Sequence, residues 1–115
     1  MTTIETGLHK PIDGLTIIAD YNCDLHFPSN GVFHIQVNWS GGAGSYDGTC
    51  ELMNSNDGVS YNSYGGGGLI FNIDSASGSH SIEDVYIAAG LNRLVFTMNN
   101  ITSLILNVFV TFKKT

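Results

Sequence analysis

Between Gly31 and Trp39 apolar and polar positions alternate without a break. Phe33, Ile35, Val37 and Trp39 fall on one side of an extended chain, His34, Gln36 and Asn38 on the other. Successive strand side chains point to opposite faces, so this stretch predicts a half-buried central strand. The same alternation marks Cys23, Leu25 and Phe27; Cys50 and Leu52 within Thr49–Met53; Leu69, Phe71 and Ile73; and Leu94, Phe96 and Met98. Leu15 to Ala19 makes a first strand. Val59, Tyr61 and Tyr64 are read as a return strand after the Asp57-Gly58 turn. The longest run closes the chain, with Leu104, Leu106, Val108, Val110 and Phe112 on one face and Ile105, Asn107, Phe109 and Thr111 on the other. Apolar residues on both faces predict either a central position or an outer face covered by a partner subunit. Ile82 to Ala88 has mixed periodicity and reads as a strand or a short crossover.

Turn signals separate these runs. Pro28-Ser-Asn-Gly31 closes one strand, and Gly41 to Gly48 and Gly65 to Gly68 read as flexible loops. The result is about eight short strands and no convincing helix, which predicts an all-β fold, an antiparallel β-sandwich of jelly-roll-like form. Residues 1–13, broken by Lys10-Pro11, read as an extended N-terminal arm, and residues 14–115 as a single β-sandwich domain.

Composition narrows the function more than the fold. The 115 residues include 14 glycines, 4 Lys and Arg together, and a formal net charge of −6. The few cations form no patch, so nucleic acid is not an expected partner. No apolar stretch approaches the ~20 residues of a membrane span, and no export signal is read at the N-terminus. Synthesis in a cytoplasm and no membrane association are therefore expected. Cys23 and Cys50 lie in strand-like runs as small core residues, and would pair only if their strands face each other.

Candidate chemistry is sparse. His34 and His26 sit on the polar faces of neighbouring runs, and a hairpin between them would set them side by side as a metal or pH-sensing pair. Loop carboxylates at Asp20, Asp24, Asp47, Asp57 and Asp74 would suit a hard cation, but none follows an Asp-x-Asp-x-Asp-Gly spacing. Gly-x-Ser-x-Gly and a lysine-tipped phosphate loop are both absent, so neither an enzyme nor a cofactor is expected. Tyr46, Tyr61 and Tyr64, set among Asn, Asp and Gly, are the residue types of a sugar-binding or partner-binding surface, with Asp57 and His34 as further polar members. The competing reading is that the tyrosines cap the sandwich ends and Trp39 lies in the core.

Phe33-His-Ile-Gln-Val-Asn-Trp39-Ser, Gly48-Thr, Ser55-Asn-Asp-Gly58, Arg93-Leu-Val-Phe-Thr97 and a closing Lys113 occur in that order. The series resembles small β-sandwich virion structural proteins of bacteriophages, used as capsid decorations, head fibres and tail-associated domains. Tyr61 stands where that family usually has Trp after the Asp-Gly turn, and Asn99 to Ser103 replaces a Gly-containing turn. The resemblance implies a non-enzymatic capsid-surface or head-associated protein, located in the virion. It would be homo-oligomeric and bind major capsid or tail proteins. The alternative is a carbohydrate- or receptor-binding module of a fibre or tail adhesin, with a glycan as ligand.

Overall fold

The computed structural model describes residues 1–64 and 69–115, and every regular element among them is a strand. They are β1 (Thr2–Thr3), β2 (Gly7–Ile17), β3 (Tyr21–Phe27), β4 (Gly31–Gly44), β5 (Gly48–Ser55), β6 (Asn62–Ser63), β7 (Leu69–Ile73), β8 (Gly78–Ile87), β9 (Gly90–Thr97) and β10 (Ile101–Lys114). One sheet has the order β1-β3-β9-β5-β6, with β7 also beside β5; the other has the order β2-β10-β4-β8.

The pairings are nested. β2 pairs with β10, β3 with β9, β4 with β8 and β5 with β7, each antiparallel. A single long hairpin rolled onto itself produces this pattern, which is the jelly-roll arrangement expected from the strand spacing. β1 and β6 are two-residue additions to it. The fold is therefore an all-β, antiparallel sandwich of eight main strands.

The core forms where the inward positions of the two sheets meet. Phe27, Phe33, Phe96, Leu52 and Leu106 are almost wholly buried, as are Leu25, Ile35 and Leu94. Each such side chain contributes roughly 1.5–3 kcal/mol through removal of apolar surface from water. Phe27 lies 5.6 Å from Phe33 and 5.3 Å from Phe112, ring centroid to ring centroid, and so ties the first sheet to the second. Cys23 and Cys50 are both free and buried. β9 separates their strands, so they do not face each other as a bridging pair. Burial pushes the Cys23 thiol up to about 11 and the Cys50 thiol higher still.

Several expectations change at this level. β4 does not stop near Trp39: Ala43 and Gly44 still pair with Ser103 and Ile101, and Gly48 opens β5, so more than half of the expected glycine loop is strand. Gly44 has φ 114, a conformation that L-residues other than glycine avoid, and this lets the strand end against β10. The return strand over Val59 to Tyr64 shrinks to Asn62–Ser63. Ile82 to Ala88 is strand, and its mixed periodicity has a cause. Glu83 and Asp84 together oppose His34, between the pairs Ile82–Ile35 and Val85–Phe33, a β-bulge with Asp84 at φ 52. The expected loop at 65–68 lies outside the described residues.

Residues 1–13 are extended, as expected of an arm, but they belong to the sandwich. Thr2 and Thr3 pair in parallel with Leu25 and His26, Ile4 is fully buried, and Leu8 to Asp13 pair along β10. Two buried isoleucines, Ile4 and Ile12, are the physical reason: their burial outweighs the freedom of a loose terminus. β10 itself is central in its sheet, and its outer face is partly covered by the chain's own residues, with the Lys10 ammonium 5.0 Å from the Phe109 ring centre.

Candidate functional site

β7 and β8 are consecutive strands on different sheets, joined by a corner of small residues from Asp74 to Ser77. Because β7 flanks β5 and β8 flanks β4, both lie at the same lateral edge of the sandwich. Phe71 and His80 both point inward there. Phe71 is buried, whereas His80, at the open edge, is exposed.

Three rings stack at this edge. Trp39 and Phe71 are 6.1 Å apart at an interplanar angle of 18°, and Phe71 and His80 are 4.3 Å apart at 19°. Offset stacking of this kind contributes about 0.5–1.5 kcal/mol per aromatic pair beyond burial. The Trp39 indole Nε1 donates to the Ser75 carbonyl at 3.1 Å, which fixes the innermost ring. Gly78 pairs with Trp39 across the β4–β8 ladder and leaves the indole its space.

The stack forms the inner wall of an open groove of about 520 Å³, with Asn72, Asp74, Ser79 and His80 at its polar rim. A smaller hollow of about 170 Å³ adjoins it, shares Asn72 and Asp74, and adds Tyr46 and Asp47. The Tyr46 hydroxyl donates to the Gly42 carbonyl at 2.9 Å, and the Gly42 amide donates to the Ala76 carbonyl at 2.9 Å. The β4–β5 loop is thereby latched to the β7–β8 corner. An apolar wall beside a few convergent polar groups is the usual composition of a small-molecule site, and the volume falls in the range of roughly 300–1,000 Å³ typical of one.

A second groove, of about 250 Å³, lies at the other end of β8. Tyr64, Tyr86, Asn54, Asn56 and Asn92 line it, with the β8–β9 turn. The Tyr64 hydroxyl donates to Oδ1 of the buried Asn92, and burial pushes the Tyr64 phenol up to about 12.

The residues singled out from the sequence do not gather at one place. None of them lines the main groove; Tyr46 lines the smaller hollow beside it, and Tyr64 lines the second groove. Tyr61 lies on the outer side of the first sheet beneath the Arg93 guanidinium, 3.9 Å from its ring centre. Arg93 in turn makes a two-point contact with Asp24, at 2.5 and 3.2 Å, and this hydrogen bonding raises the guanidinium's pKa. Asp57 shapes its own turn: Oδ1 accepts from the amides of Val59 and Ser60, each at 2.8 Å, and from the Ser55 hydroxyl at 3.0 Å. These bonds hold its carboxyl below the ordinary range, the Ser60 amide most strongly.

His34 and His26 are not neighbours. The chain crosses between sheets after β3 instead of making a hairpin, so His34 pairs with Thr111 in one sheet and His26 with Leu91 in the other. His34 instead stands 3.9 Å from the Glu83 carboxylate. The loop carboxylates are also dispersed, and among the described residues no three of His, Cys, Asp or Glu gather as metal ligands. Asp20 has a structural use, accepting from the Met98 amide at 2.7 Å.

The sequence marks Phe71 as an alternating strand residue and gives His80 no role. One signal was present: the two rings flank a short exposed run of small residues, the mark of a tight corner between sheets.

The sequence matches no protein-family profile and no curated protein. Among solved structures, a GH26-CBM35 β-(1,4)-mannanase from Podospora anserina superposes with a TM-score of 0.53 at 12% identity, over 96% of this chain and 29% of that one. A β-glucosidase from Paenibacillus barengoltzii gives 0.50 at 13% identity, over 95% of this chain and 11% of that one. This chain thus spans under a third of either protein, and at such identities the likeness establishes a shared β-sandwich fold.

Proposed function

We propose that this domain is a non-enzymatic binding module for a neutral carbohydrate, held in the groove at the β7–β8 edge. The observation that carries the reading is the Trp39–Phe71–His80 stack, whose outermost ring is exposed beside Asn72, Asp74 and Ser79. A pyranose has an apolar face of C–H groups and an edge of hydroxyls. The face packs on a ring, and the hydroxyls exchange hydrogen bonds with amide, carboxylate and hydroxyl groups. The net charge of −6 and the carboxylates at the rim favour a neutral ligand over an anionic one. The support lies in the groove, since the fold shared with a mannanase and a β-glucosidase hosts many functions.

A glycan array followed by calorimetry tests this reading. Binding to a neutral glycan is expected, weakened about tenfold or more, or about 1.4 kcal/mol, by His80→Ala and by Asn72→Ala. Both side chains are exposed, so the variants should fold normally. Absence of binding to every neutral glycan, or binding that ignores both substitutions, would overturn it.

A different observation favours a second reading, the bacteriophage particle component that the resemblance implies. The connection from β2 to β3, which crosses from one sheet to the other, exposes Leu15, Ile18 and Tyr21, with Ile18 at 77% exposure, around a shallow hollow of about 240 Å³. Such a patch suits docking to a capsid or tail protein or to sister subunits. Ile18→Glu should then release the protein from purified particles while leaving it folded; unchanged particle content would reject this reading.

A further inference from the structure

The hollow beside the main groove is too small to act alone. Its volume of about 170 Å³ lies below the roughly 300 Å³ at which independent small-molecule sites begin. Nor is it separate, because Asn72 and Asp74 line both the hollow and the groove. Asn72 is the last residue but one of β7, and Asp74 opens the corner that follows. The two spaces therefore meet at the end of that strand.

The walls of the hollow are fixed by the fold. The Tyr46 hydroxyl donates to the Gly42 carbonyl and the Gly42 amide to the Ala76 carbonyl, each at 2.9 Å. The Asp47 amide donates to the Asn99 carbonyl at 3.2 Å, and the Asn100 side-chain amide donates to Asp47 Oδ2 at 3.2 Å. Gly48 pairs with Ile73 at the end of the β5–β7 ladder, which sets Asp47 opposite Asp74 just beyond it. Groups held in place before binding lose less freedom when a ligand arrives.

We propose that the hollow is a side subsite of the groove, receiving the sugar next to the one on the His80 ring. This deepens the carbohydrate reading and rests on it. It specifies a disaccharide unit with free hydroxyls, Asn72 and Asp74 being shared by the two sugars. The chemistry of the walls sets the selectivity. The ionised carboxylates of Asp47 and Asp74 can only accept hydrogen bonds, so they call for hydroxyl donors. Like charges set opposite each other repel, and hydroxyls of one sugar donating to both offset that repulsion. A uronate would add a further negative charge, and a methyl ether offers no donor.

Calorimetric titration with methyl glycosides and β-linked disaccharides of glucose, mannose, galactose and xylose tests the proposal. The preferred disaccharide should bind about tenfold or more tighter than its methyl glycoside. Asp47→Ala should remove that gain, whereas His80→Ala should weaken both ligands. Equal affinity for disaccharide and methyl glycoside, or a gain that persists in Asp47→Ala, would overturn the side-subsite inference and leave the groove reading intact. No binding of any of these sugars would remove both. Asp47 and His80 are exposed, and unchanged circular dichroism spectra would confirm that the variants are folded.

Discussion

Gly78 faces Trp39 across the β4–β8 ladder with no room for a side chain. A Cβ built at Gly78 would stand 2.7 Å from Cζ2 of the indole and 3.1 Å from Cε2. The glycine therefore sets the position of the innermost ring of the stack, and through it the wall of the groove. Gly78→Ala should displace the indole and destabilise the fold by about 1–3 kcal/mol, the usual cost of overpacking. Trp39 is the only tryptophan. A red shift in native fluorescence, together with a lower midpoint in denaturant, checks both halves of the prediction.

Tyr64 supplies the hydroxyl that pairs with the buried Asn92. Tyr64→Phe leaves that amide oxygen without its partner and should cost about 1–3 kcal/mol. The phenol's folded value, raised to about 12 by burial, also fixes a pH dependence. A group whose folded value is raised contributes stability that is complete below its unfolded value, roughly 10, and lost as pH rises through the folded one. The native protein should therefore lose stability between about pH 10 and 12, and Tyr64→Phe should flatten that part of the profile. Denaturant titrations across the interval measure it.

Asp57 gives the opposite sign. Its carboxylate accepts from the Ser60 and Val59 amides and the Ser55 hydroxyl, which lowers its folded value. The contribution is complete above the ordinary carboxylate value of roughly 4 and is lost as pH falls through the lower folded value. Asp57→Asn keeps an acceptor oxygen but cannot titrate. It should remove this part of the acid destabilisation while preserving the turn, as seen by thermal unfolding between neutral and strongly acidic pH.

The first thirteen residues should prove necessary to the fold. Deleting them removes β1 and most of β2, uncovers one edge of β10 and discards Ile4 and Ile12. The truncated chain should fail to give a cooperative thermal transition. Ile4→Ala, a milder change, should cost about 2–5 kcal/mol. A truncation as stable as the full chain would show that β2 contributes little.

How legible the molecule was depends on which physical signal is asked for. The inward faces were readable directly: Phe33, Ile35, Val37 and Trp39 are buried, and so are Leu104, Leu106, Val108, Val110 and Phe112. The bulge at Glu83–Asp84 blurred that signal locally, because one extra residue reverses the alternation on its far side. The candidate site was much less legible. Of Tyr46, Tyr61, Tyr64, Asp57 and His34, none lines the main groove, Tyr46 lines only the hollow beside it and Tyr64 the second groove, since residue type does not report which loops meet.

What the sequence by itself determined is the face on which the residues of the regularly alternating strands lie, the turn at Asp57-Gly58, and hence the all-β sandwich. A period of two fixes inside and outside, because every second side chain must leave water together. It carries no information about which strand lies beside which. The nested pairing from β2 with β10 to β5 with β7, the incorporation of residues 1–13, and the meeting of Trp39, Phe71 and His80 were decided by tertiary structure alone. They depend on how two sheets close over one core. The same closure leaves one edge open, and there an inward-facing His80 remains in contact with water.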